Sequence, residues 1–216
     1  MLKFDNYDLC ETPKYNVQNY DWWSLKPSFN YNLYTIPNAF CNDEINNIIK
    51  LGIGTDIGIS RISAQTTGEF TDIRKSLNSW IYPNTITNWL FEKITCYIHT
   101  ANENFCFDLH SLENLQFTIY DESYDGSYSS HVDHSFGPSS PDSHRKLSFS
   151  VQLTSPDLYE GGELRAYHDT LNQYTVGCKD LGCINFFPSY MLHEVTSVTK
   201  GRRYSLVGWV HGPKFK

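Results

Sequence analysis

The alternation of apolar and polar residues changes period partway along the chain. Asn30 to Ile36 alternates as a strand would. After Asn42-Asp43-Glu44 the spacing turns helical, with Ile45, Ile48 and Ile49 on one face and Gly52 as the expected stop. Thr85 to Asn102 predicts a second helix. Pro83-Asn84 is its start signal, and Ile86, Leu90, Ile94, Tyr97 and Ile98 form its apolar stripe. From Leu115 onward the pattern is one of short strands divided by turns: Leu115 to Tyr120, Tyr128 to Asp133, Lys146 to Thr154, Glu163 to Tyr167, Gly182 to Phe187, His193 to Val198 and Arg203 to Val210. Two helices followed by many short strands predict an α+β, mainly β fold: a sandwich or jelly roll (a double-stranded β-helix) braced by N-terminal helices.

The first thirty residues break this regularity. Pro13, Pro27 and Trp22-Trp23 suggest an irregular arm, residues 1–30, packed on a single domain of residues 31–216. A length of 216 residues suits one core, and 40% hydrophobic content is enough to bury it. The net charge of −7 argues against a sequence-independent nucleic-acid binder, which needs a basic stripe. The N-terminus has no basic segment followed by an apolar core, and no apolar run is long enough to span a membrane. A cytoplasmic protein is the expectation. Cys10, Cys41, Cys96, Cys106, Cys178 and Cys183 contain no CxxC pair and are expected to be buried thiols.

Candidate chemistry begins at His131-Val132-Asp133. In a strand, residues i and i+2 share a face, so the imidazole and the carboxylate would point together and Val132 away. Alone, HxD is a weak signal and fits a surface strand as well. His193 opens a late strand and would complete a set of two histidines and one carboxylate, which leaves half of an octahedron open. Arg203 follows in Gly201-Arg202-Arg203-Tyr204-Ser205, where parity places Arg203, Ser205, Val207 and Trp209 on one face. A guanidinium clamps a carboxylate with two parallel hydrogen bonds. Its alternative is a partner for a structural acid. Arg202 would then face solvent. By the same parity His134 points away from the metal, and His168 and His211 have no evident partner.

The ordered set resembles the iron(II)/2-oxoglutarate dioxygenases, in their prolyl-4-hydroxylase-like branch. The resemblance runs from about Asn32 to Val210. It is carried by Ile36-Pro37-Asn38-Ala39-Phe40, by Tyr120 and the stretch Gly126 to Asp133, and by Tyr159-Glu160-Gly161-Gly162-Glu163-Leu164. Phe187-Pro188, His193-Glu194-Val195 and Gly201 to Ser205 complete it. It implies His131, Asp133 and His193 as iron ligands, with no catalytic residue beyond them. It implies Arg203 and Ser205 on the distal carboxylate of 2-oxoglutarate, with Tyr120 reaching the same co-substrate. A tyrosine that some relatives carry after the lid is replaced here, with Gln152 or a neighbour in that region. Fe(II), 2-oxoglutarate and O2 are the implied cofactors, with ascorbate as a further candidate. Succinate and CO2 are the implied by-products.

The substrate is less constrained. A prolyl residue in a peptide or protein, a free amino acid and another small molecule all suit the pattern, since fold and cofactor do not fix it. Arg165, Tyr167, Tyr128 and Trp209 are the candidates for contact, although Arg165 would equally pair with an acid. The Gly-, Pro- and Ser-rich segment from His134 to Arg145 is either a lid or a passive connection. Two rivals stand beside the dioxygenase. A zinc hydrolase has no use for Arg203 and would have only Glu194 as a nearby base. A non-catalytic metal-binding jelly roll would not need the full order of residues.

Overall fold

The structure, a computed structural model, describes residues 33–60, 70–134, 143–168 and 173–214. The arm of residues 1–30 and most of the proposed lid lie outside the described residues.

The chain opens with strand β1 (Tyr34–Ile36), helix α1 (Asn42–Ile53) and the short strands β2 (Gly58–Ile59) and β3 (Arg74–Lys75). Strand β4 (Leu77–Ile81), helix α2 (Asn88–Phe105) and strand β5 (Ser111–Leu112) follow. Then come β6 (Leu115–Asp121), β7 (Ser127–His131), β8 (His144–Gln152), β9 (Tyr159–Gly161) and β10 (Leu164–Tyr167). The last strands are β11 (Tyr174–Val176), β12 (Ile184–Pro188), β13 (His193–Val195) and β14 (Val198–Gly212).

The strands form two antiparallel sheets. The larger runs β1-β12-β8-β14-β6-β4-β2, with β5 and β9 also paired to β14. The smaller runs β11-β10-β13-β7-β3. Tyr120 and Phe187 of the larger sheet pack with Leu164, Ala166 and Val195 of the smaller in one buried cluster, so the sheets face each other. Both helices cover the other side of the larger sheet, where Ile45, Ile48, Leu90 and Ile94 meet Phe117, Phe149, Ile184 and Leu206. This is the expected jelly roll braced by helices.

The central strands of the larger sheet are buried on both faces, yet they alternate. In β8, Leu147, Phe149 and Val151 enter the helix-covered core, while Ser148, Ser150 and Gln152 point the other way and are also buried. In β6, Gln116 and Thr118 alternate with Leu115, Phe117 and Ile119. A buried row of polar side chains needs partners other than bulk water. Here that row forms the wall of a cavity between the sheets.

Several details differ from expectation. Helix α1 passes through Gly52 and ends at Gly54, whose N–H donates to the Lys50 carbonyl. Gly52 instead serves packing: a Cβ there would lie 2.2 Å from Cγ of Phe117. Ile86 precedes α2 and is exposed, because the Asn84 side chain accepts from the Ile86 and Thr87 N–H groups in the turn before the helix. Cys41, Cys96 and Cys106 are exposed, and Cys183 alone of the described thiols is buried. No described helix is long and apolar enough to cross a membrane.

Candidate metal centre and its cavity

His131 closes β7, His193 opens β13, and the two are partners across the ladder. Asp133 lies beyond the strand expected to contain it. Its N–H and that of His134 both donate to the Ser189 carbonyl at 2.9 Å. A bend tethered in this way, rather than strand parity, brings the carboxylate beside His131. His131 Nε2 stands 3.6 Å from Asp133 Oδ1, and His193 Nε2 stands 3.5 Å from Asp133 Oδ2. One candidate donor atom from each of the three residues lies within 4.8 Å of the others.

The histidine tautomers follow from their neighbours. Nδ1 of His131 is 2.8 Å from the Ser129 carbonyl, and Nδ1 of His193 is 2.9 Å from the Met191 carbonyl. A carbonyl oxygen only accepts, so each Nδ1 carries the proton and each Nε2 turns a lone pair toward the shared space. Metal-bound histidines are oriented in the same way. Burial alone would raise the pKa of Asp133, but His193, His131 and the Ser148 hydroxyl outweigh it and hold the carboxyl well below the usual range. Burial pushes His193 down, against the pull of Asp133. Both shifts favour the forms that bind metal. Two nitrogens, one oxygen and no thiolate fit iron(II), with coordination positions left open.

The same cavity is lined by Tyr120, Arg203, Ser205, Val207 and Trp209 from the larger sheet. Strand β14 therefore presents the face that its parity predicts. Arg203 is 2% exposed. Its Nη2 donates to Gln152 Oε1 at 2.8 Å, while Nε and Nη1 have no hydrogen-bond partner among the described residues. Ser205 Oγ and Trp209 Nε1 are likewise buried and unpartnered there. A buried cation with most of its donors unused is costly unless an anion meets it. The orphaned donors fit the free carboxylate of a dicarboxylic ligand whose other end reaches the metal centre. Gly162 makes the close packing behind Arg203 possible: its φ is +58°, and a Cβ would lie 3.0 Å from Arg203 Cδ.

The remaining candidates separate. Tyr128 lines the cavity, stacked on His131 with ring centres 3.5 Å apart. Burial raises the pKa of Tyr120 and Tyr128, so both remain neutral hydrogen-bonding groups. Arg165 and Tyr167 do not line this cavity. On β10 the buried Leu164 and Ala166 face inward, and Arg165 and Tyr167 alternate with them. Arg165 pairs with Glu163 at 2.8 Å, and the Tyr167 hydroxyl donates to Glu194 at 2.7 Å. Glu194 thus belongs to that outer face. Arg202 pairs with Asp121, His168 contacts Thr175, and His211 contacts Glu113. The sequence reading missed Arg74 and Gln116 in the cavity, and the contacts of Gln152 with both Arg203 and Tyr159. Alternation along β8 marks Gln152, but a two-residue strand leaves no periodic signal for Arg74.

Comparison with known proteins agrees with this layout. Residues 115–211 match the 2OG-Fe(II) oxygenase superfamily. A PKHD-type hydroxylase of Synechococcus sp. (strain CC9311) is 35% identical over 115 residues, 52% of this chain and 47% of the relative. Another, from Prochlorococcus marinus (strain NATL1A), is 39% identical over 84 residues, 39% of this chain and 36% of the relative. The chain spans about half the length of the curated relatives it matches, or less. In fold it is similar to a Pseudomonas putida prolyl-4-hydroxylase, with a TM-score of 0.65 and 17% identity over 84% of this chain and 93% of that one. It is also similar to a viral collagen prolyl hydroxylase from Paramecium Bursaria Chlorella virus-1, with a TM-score of 0.62 and 18% identity over 85% of this chain and 97% of that one. The matched segment runs from β6 to β14 and contains the whole His-Asp-His group and Arg203, so the part of the chain that carries the candidate site is similar to the 2OG-Fe(II) oxygenase superfamily.

Proposed function

We propose that this chain is an Fe(II)- and 2-oxoglutarate-dependent dioxygenase that hydroxylates a prolyl residue. His131, Asp133 and His193 hold the iron. Arg203 and Ser205 take the distal carboxylate of 2-oxoglutarate, and Tyr120 reaches the same ligand. The observation that carries this reading is that Arg203 Nε and Nη1 and the Ser205 hydroxyl have no partner among the described residues and are buried in the cavity that also holds the His-Asp-His group.

Bound iron would supply the redox chemistry by which O2 oxidatively decarboxylates 2-oxoglutarate to succinate and CO2, with the second oxygen atom entering a substrate C–H bond. The protein's share is placement. Met191 and Ser129 fix the two imidazoles, Ser148 fixes the carboxylate, and Gln152 holds one edge of the Arg203 guanidinium. The sheets keep water from the donors, which strengthens each charge-assisted bond. Hydroxylation is supported by the PKHD-type hydroxylase relatives, and the prolyl substrate by the similar folds of proteins named as prolyl hydroxylases.

The test combines metal analysis with succinate release, using proline-containing peptides and free amino acids as substrates. Iron with substrate-stimulated succinate is expected from the native chain, and loss of both from His131→Ala and Asp133→Ala. Unchanged stimulated release in either variant removes the ligand assignment. Zinc without 2-oxoglutarate turnover would favour the hydrolase.

A further inference from the structure

The cavity holds a second buried arginine that the co-substrate does not need. Arg74, on β3, is 8% exposed and lines the cavity with Gln116 and Tyr128. Its Nε donates to Ser76 Oγ at 2.9 Å and its Nη2 to Gln116 Oε1 at 2.8 Å. Its guanidinium carbon lies 4.5 Å from the centre of the Tyr128 ring. All these partners are neutral. Nη1 has no hydrogen bond, and no carboxylate pairs with Arg74, among the described residues. Neutral acceptors and a ring face position a guanidinium but do not neutralise it.

A count of charge shows what is missing. Arg74, Arg203 and a divalent metal bring four positive charges to this cavity. Asp133 brings one negative charge and 2-oxoglutarate would bring two, so among the described residues one positive charge remains. The carboxylate at the metal end of 2-oxoglutarate is engaged by the metal, and the distal one by Arg203. Arg74 then keeps a charge that no described residue offsets.

Position limits which anion. The Tyr128 ring centre is 3.5 Å from that of His131 and 4.5 Å from the Arg74 guanidinium carbon, so Arg74 lies within about 8 Å of the His131 ring. The few bonds between the carboxylate and the side-chain carbons of one amino acid span such a gap. We propose that Arg74 binds the α-carboxylate of the very residue that is hydroxylated. The substrate is then a free amino acid or the C-terminal residue of a peptide, rather than a residue inside a chain. The inference rests on the dioxygenase reading and narrows its substrate.

The experiment compares acids with their amides on the intact protein. L-proline and L-prolinamide are assayed for stimulated succinate release and for binding by tryptophan fluorescence. A short peptide ending in proline is assayed as acid and as amide, beside one with an internal proline. The expected result is that the acids act and the amides are about tenfold to a hundredfold weaker, as loss of a charge-assisted pair implies. Activity with the free amino acid alone, or also with the C-terminal acid, tells the two sources apart. Arg74→Met should erase the preference for acid over amide, and Arg74→Lys should restore part of it.

Equal response to acid and amide, or stimulation by the internal proline alone, overturns the inference while leaving the dioxygenase intact. So does an Arg74→Met variant that keeps the acid preference and loses 2-oxoglutarate affinity instead. Absence of 2-oxoglutarate turnover with every compound refutes the dioxygenase reading itself, and this inference falls with it. If Arg74→Met fails to fold, the acid-to-amide comparison on the native chain still decides.

Discussion

The Ser148 hydroxyl reaches across from the larger sheet and donates a 2.7 Å hydrogen bond to Oδ2 of Asp133. The same hydroxyl lies 2.9 Å from Ser189 Oγ, and the Ser189 carbonyl holds the Asp133 backbone. One carboxylate is thus fixed by two elements of the sandwich. Ser148→Ala keeps all three ligand residues but frees that oxygen to rotate. Iron affinity should fall about 10- to 100-fold, the usual effect of losing a group that orients a ligand. Competition against a chelator of known affinity measures it. Affinity equal to the native value would show that the Ser189 tether alone fixes the ligand.

Arg203 should behave as a geometric clamp rather than a point charge. Arg203→Ala is expected to raise the KM for 2-oxoglutarate about 10- to 100-fold. Arg203→Lys keeps the charge but loses the planar pair of donors, and the Gln152 contact is built for the guanidinium edge. It should recover only part of the affinity. A 2-oxoglutarate dependence unchanged in both variants would exclude the role.

Much of this was legible in the chain because the site is written on strands. Parity along β14 put Arg203, Ser205, Val207 and Trp209 on one face, and all four line the cavity. Parity is less reliable at strand ends. Asp133 reaches the site through a bend, and Arg165 and Tyr167, candidates for substrate contact, alternate with the inward Leu164 and Ala166, since parity alone does not tell which face of β10 turns inward. The β3 and β4 segment was silent, since two- and five-residue strands rich in polar residues resemble loops. Arg74 therefore carries no signal in the sequence pattern. Gly52 was misread for another reason. A glycine near a helix end looks like a stop, and only the tertiary contact with Phe117 shows its packing use.

That contact makes Gly52→Ala a test in which two effects oppose each other. Alanine in a helix interior is favoured over glycine by about 1 kcal/mol. Against this, the added Cβ would sit 2.2 Å from Cγ of a fully buried phenylalanine. Overpacking of that kind costs about 1–3 kcal/mol. The cost should exceed the gain, so the variant should melt several degrees below the native chain. A higher Tm would mean that α1 shifts outward easily and does not brace the larger sheet.

The last prediction concerns pH and stability away from the metal. Glu113 accepts from Arg145 Nη2 at 2.7 Å and also contacts His211, while the Arg145 guanidinium carbon stacks 4.0 Å from the Trp209 ring. Burial would raise the pKa of Glu113, but Arg145 and His211 overcome it and leave the folded-state pKa below the ordinary 4.5. A depressed carboxylate stabilises the fold fully above its unfolded pKa, and that contribution fades as pH falls through the folded value. Urea unfolding of the native chain and of Glu113→Gln should therefore differ by about 1–3 kcal/mol at neutral pH. The gap should begin to close below about pH 4.5, the unfolded value, and keep closing as acid is added. A gap that stays constant down to pH 3 would mean that packing around Arg145 and Trp209, and not the charge of Glu113, holds this end of the cavity wall.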